Sequence, residues 1–139
     1  MVSYQSLLIF LCLETWRQLF PTGGVEHVEK YLSEFSIFYQ AQIRADNHAV
    51  REAACACIAE LAAKCSESSL EPHWEPLLDS LIDCFGDDSW PVRDAACIAA
   101  GNFVRALPDK TRPRHDVLYE KFMVRNNNNF MHHLIVTYL

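Results

Sequence analysis

Asp46-Asn-His-Ala-Val-Arg-Glu-Ala-Ala-Cys55 returns as Asp88-Ser-Trp-Pro-Val-Arg-Asp-Ala-Ala-Cys97, at an offset of 42 residues. Val50/Val92, Arg51/Arg93, Ala53/Ala95, Ala54/Ala96 and Cys55/Cys97 coincide, and Glu52/Asp94 keep their charge. Working outward, Val50, Ala53, Ala54, Cys57, Ile58, Leu61, Ala62 and Cys65 recur with the three-four spacing of one helix face. Val92, Ala95, Ala96, Ala99, Phe103 and Leu107 repeat the stripe. Small Ala and Cys side chains early in each helix allow neighbouring backbones to approach closely.

A second amphipathic helix precedes each of these. Val28, Tyr31, Leu32, Phe35 and Tyr39 form the stripe of the first, and Trp74, Leu77, Leu78, Leu81, Ile82 and Phe85 that of the second. The repeating unit is therefore a helix hairpin. Gly86 suits a helix stop, Asp87, Asp88 and Ser89 offer N-cap oxygens, and Pro91 sits in a first turn where its missing N–H costs nothing. Ser66 to Pro72 reads as the polar connection between hairpins.

An Asp followed by Val-Arg-x-Ala-Ala, opening the second helix of a hairpin of this length, resembles the HEAT repeat, close kin of the armadillo repeat. The resemblance covers about residues 25 to 107 and implies an all-α, right-handed solenoid of antiparallel helix hairpins. It further implies that Arg51 and Arg93, with Asp46 and Asp87 or Asp88, form a polar ladder between successive hairpins, the acidic partner staying open between Asp87 and Asp88. The units expected are 25–66 and 67–108 as two repeats, 1–24 as a helix of a partial preceding repeat, 109–125 as a partial third, and 126–139 as an atypical tail. Polar capping repeats are not evident, and the chain reads as a piece of a longer solenoid or one with an unusual terminus.

Composition narrows the function. The chain has 139 residues, half of them apolar, and a formal charge of −6, which argues against nucleic acid because phosphate neutralisation needs clustered Lys and Arg. Charge is uneven: residues 1–104 hold six basic and fifteen acidic side chains, residues 105–139 six and three. The six cysteines lie in apolar helical patterns and read as small buried hydrophobes, not a disulfide framework. The apolar run Ser6 to Leu13 has no basic flank and is too short for a bilayer, so it reads as a solenoid helix and not a signal or membrane segment. No Asn-x-Ser/Thr acceptor occurs, in keeping with a cytoplasmic or nuclear protein.

Catalytic chemistry finds no foothold. Some HEAT-like proteins bind a metal pair through His-Glu dipeptides and hydroxylate protein side chains, but no His-Glu occurs here. Cys55 and Cys57 diverge by about 200° on a helix and cannot chelate one ion together. His132-His133 reads as a surface tail, and no phosphate loop or nucleophile elbow is present. No catalytic residue, cofactor, metal or small-molecule substrate is expected, and other proteins are the expected partners.

Contact with a partner is expected on the concave, second-helix surface through Glu52, Glu60, Lys64, Asp94, Asn102 and Arg105. Trp90, in an inter-helix turn, is a candidate anchor, whereas Trp74 belongs to the core stripe. Glu71, Glu75, Asp79 and Asp83 recur every four residues as an acidic strip, read either as a solvated face or as a receptor for basic peptide. The basic cluster Arg105, Lys110, Arg112 and Arg114 reads as a charged connection. The function expected is a non-catalytic interaction scaffold, with a cargo-binding fragment of a HEAT-repeat nuclear transport receptor as the alternative.

Overall fold

The computed structural model describes residues 14–125 apart from Trp16 and Thr22. The Ser6–Leu13 run, Trp16, and the tail with His132-His133 lie outside the described residues. No strand occurs among those described, and the chain is all-α. Among the described residues, Glu14, Thr15, Arg17, Gln18 and Leu19 are helical, and the helices that follow are α1 (Val25–Lys30), α2 (Leu32–Gln42), α3 (His48–Lys64), α4 (Glu67–Leu70), α5 (Trp74–Cys84), α6 (Trp90–Ala106), α7 (Pro108–Thr111), a 3-10 turn (Arg112–Arg114) and α8 (His115–Arg125).

The bounds repeat as the residues do. α2 and α3 return as α5 and α6 at an offset of 42 residues, whereas α4 and α5 return as α7 and α8 at 41. Leu70 thereby corresponds to Thr111, both fully buried, and Leu77 to Leu118. The hydroxyl at Thr111 stays satisfied in the core by donating to the Leu107 carbonyl at 2.9 Å.

Among the described residues the long second helices α3 and α6 share the most extensive helix–helix contact, and each also packs on the shorter helix of its hairpin, α2 or α5. Leu77, Leu78 and Leu81 of α5 and Val92, Ala96, Ala99 and Phe103 of α6 are fully buried, with Cys55 and Ile58 of α3. Burying one such Leu or Phe stabilises by about 1.5–3 kcal/mol. The alanines set the distance between α3 and α6, close enough for the Asn102 amide to donate 3.0 Å to the Ala59 carbonyl.

The first hairpin departs from its expected stripe. Tyr31 is 49 % exposed and breaks the helix, its φ of −112° and ψ of 22° standing between α1 and α2. α1 opens instead from Gly23 and Gly24, at φ 91° and 73°, a left-handed pair that glycine adopts without a Cβ penalty. The buried side of α2 runs through Leu32 and Ser36, whose hydroxyl accepts from Gln40 Nε2 at 3.1 Å. Capping also differs between the hairpins: Asn47 Oδ1 accepts from the Ala49 N–H at 2.9 Å, but Ser89, its counterpart, caps nothing with its side chain. Asp87 Oδ1 takes the Ser89 N–H instead, at 2.9 Å.

Candidate interaction surface

One guanidinium joins the two hairpins. Arg51 Nη1 donates to the Ala45 and Asp46 carbonyls at 2.9 and 2.8 Å, holding its own loop. Nε and Nη2 remain as a fork and take both carboxylate oxygens of Asp87 at 2.7 and 2.9 Å, the bidentate geometry that suits an Arg–carboxylate pair. The side chains are 18 % and 11 % exposed. That guanidinium holds the Asp87 carboxyl below its ordinary value, and the Arg51 pKa is raised in turn. Arg93 Nη1 repeats the loop contact on the Asp87 and Asp88 carbonyls at 2.6 and 3.2 Å. Asp46 thus enters through its backbone, and Asp87 rather than Asp88 supplies the carboxylate.

Beneath the junction, the contact between the Cys55 thiol and Cys84 pushes Cys55 up, with burial adding to the rise, and draws Cys84 down against the opposing effect of its own burial. Cys97 is pushed up to about 12 by burial. No group of three or more His, Cys, Asp or Glu among the described residues is placed to hold a metal ion.

The acidic strip does not stand open. Lys110 donates to Glu71, and Arg114 Nη2 reaches Glu75 at 3.3 Å and Asp79 at 2.7 Å. Lys110 and Arg114 of the basic cluster therefore lie across the strip as a clasp between it and the α7–α8 connection. Of the strip, only Asp83 is without an ion pair among the described residues. Arg112 pairs with Asp109 at 2.9 Å. The equivalent anchor in the first hairpin is Glu29, 42 residues before Glu71, which accepts the Ser66 N–H at 2.5 Å. Pro108 stands at the matching place with no N–H to give.

The remaining expected contact residues separate into two groups. Towards the helix C-termini, Glu60 and Lys64 pair at 2.6 Å, and Asn102 is spent on Ala59 while its Oδ1 accepts from Arg105. Asn102 and Arg105 border a groove of about 380 Å3 between α3 and α6, floored by Ala62, Ala63 and Ala106. Towards the N-termini, Trp90 is 66 % exposed and Ile98 44 %. Asp94 stands midway between them, four residues from each, so the three share one helix face. Ile98 is not among the contact residues the sequence leads one to expect. Its signal was an apolar side chain lying off the buried stripe and in step with Trp90. On α3 the corresponding positions are exposed His48, half-buried Glu52 and exposed Ala56.

Among the described residues no helix is long and apolar enough to cross a membrane. No curated protein and no solved structure matches the chain. A family match does exist over residues 77–107, from Leu77 in α5 through α6 to Leu107, and the hairpin that presents Arg93, Trp90 and Ile98 is a HEAT repeat.

Proposed function

We propose that this chain is a non-catalytic scaffold that binds a segment of another protein on the exposed face of its second helices, α3 and α6, in a right-handed solenoid whose concave side they line. HEAT repeats generally mediate protein interactions. The observation that carries the choice of face is the pairing of positions between repeats. Trp90 corresponds to His48 and Ile98 to Ala56, and both of those remain exposed although the second hairpin is stacked upon the first. A further hairpin stacked on α6 would likewise leave Trp90 and Ile98 uncovered. Large apolar side chains held in water at a site that stacking does not bury favour contact with a partner. The strip on α5 is already taken by Lys110 and Arg114, so it lends no support to the alternative of a transport receptor for basic cargo.

The test is selection of displayed random peptides against the whole chain, followed by binding of the winners to surface variants. Trp90→Ala and Ile98→Ala should each weaken the selected peptides, whereas Phe38→Ala, at an exposed position on α2, should not. Winners that ignore Trp90 and Ile98 would defeat the assignment of this face.

A further inference from the structure

We infer that the segment received at Trp90, Asp94 and Ile98 carries a bulky apolar side chain flanked by Lys or Arg. The inference rests on the face proposed above and adds the chemistry of its occupant.

Shape points to the apolar part of the occupant. Trp90 and Ile98 lie eight residues apart on α6, about 12 Å along the axis at 1.5 Å per residue. That interval admits one large side chain between them, and the corresponding positions on α3 are His48, Glu52 and Ala56.

Charge points to its basic flanks. Around the N-terminal ends of α3 and α6 stand the carboxylates of Asp46, Glu52, Asp88 and Asp94, and among the described residues none of them makes a side-chain ion pair. The cations at that end are fewer. Arg51 is neutralised by Asp87. Arg93 gives one nitrogen to its loop carbonyls, and Arg44 donates to the Gln40 carbonyl at 2.9 Å. Exposed His48 also lies there. Four carboxylates against two arginines leave an acidic field around an exposed indole. Lys64 and Arg105 belong to the far ends of the helices, about 20 Å away, beyond the ~8–10 Å over which salt lets a surface charge act. An indole face attracts Lys or Arg, and a carboxylate four residues on can pair with the same cation. A segment with acidic flanks would instead meet four like charges.

Three fluorescein-labelled peptides of equal length decide the matter: one with Leu and Phe between lysines and arginines, one with the same apolar residues between glutamates, and one basic with alanines as its only apolar residues. Fluorescence anisotropy with the full chain, at low and at physiological salt, should show the basic-apolar peptide binding roughly tenfold or more tightly than either other, and weakening as salt rises. Trp90→Ala should cut that affinity about tenfold. Asp94→Lys should reduce or reverse the preference for basic over acidic flanks, with helical circular dichroism unchanged in both variants. A Trp90-dependent interaction indifferent to flanking charge, or unmoved by Asp94→Lys, overturns the inference and leaves the face standing. Binding of all peptides independent of Trp90 overturns the face as well. A mass by light scattering that doubles with concentration in the native chain but not in Trp90→Ala would assign the face to a second copy, and would equally overturn the inference.

Discussion

Replacing Asp87 by Asn tests whether the two hairpins are joined through one carboxylate. The substitution keeps an oxygen for the Ser89 N–H but puts an amide NH2 in front of the Arg51 fork, removing the charge and one of two acceptors. Hydrogen bonds to charged groups contribute about 1.5–3 kcal/mol each, and partial solvent contact of the pair moves the value to the low end. The expected loss is therefore about 1–2 kcal/mol for Asp87→Asn, and close to zero for exposed Asp88→Asn, whose carboxylate makes no ion pair among the described residues. Urea unfolding at pH 7 followed by helical circular dichroism measures both. The pH dependence supplies a second check. Arg51 holds the Asp87 pKa below its ordinary 3.8. A depressed carboxylate gives its full stabilisation above the unfolded value and loses it as pH falls through the folded one. The gap between native chain and Asp87→Asn should hold from neutral pH down to the ordinary carboxylate range and narrow below 3.8. Equal losses for Asp87→Asn and Asp88→Asn, or a gap that widens in acid, would refute the reasoning.

Leu81→Ala, at a fully buried position, should cost about 2–5 kcal/mol in the same assay; a loss under 1 kcal/mol would mean the α5 core is looser than its burial implies. Arg114→Ala should change global stability by no more than about 1 kcal/mol, since the clasp faces solvent, while hydrogen exchange across residues 108–118 speeds up as the clasp opens. In the native chain at pH 8, Cys55, Cys84 and Cys97 should resist alkylation until urea unfolds the protein, because burial covers all three and holds the Cys97 thiol up near 12. Peptide mapping that finds Cys97 labelled as fast as an exposed thiol would contradict that.

The hairpins were legible because Val-Arg-x-Ala-Ala combines a periodic apolar face with small residues, and that signature marks where a second helix begins. Shorter pieces were not. α4 and α7 have four residues each, too few to display a period, and the break at Tyr31 follows from a backbone turn that an aromatic on the expected stripe conceals. The repeat itself leaves the carboxylate that meets Arg51 open between Asp87 and Asp88. Asp46 and Asp88 correspond in sequence, but Asp87 corresponds to Ala45, so the residue that matters has no copy. The clasp was invisible for a different reason. Glu71 and Lys110 lie 39 residues apart, and reading charge one helix at a time sets them on separate surfaces. Ile98 was passed over because apolar residues in a helix are read first as core, and only its place relative to Trp90 distinguishes it.

Arg51 serves two masters with one planar group: a single nitrogen steadies the turn that precedes α3, and the other two grip the turn that precedes α6. Neither task can be relaxed without tilting the plane for the other. Local melting of residues 43–47 would therefore loosen the neighbour's grip, and arrival of the neighbour would in turn quieten that turn. Order can thus pass between the two hairpins through one latch, so that bending is shared between adjacent turns instead of being concentrated at one joint.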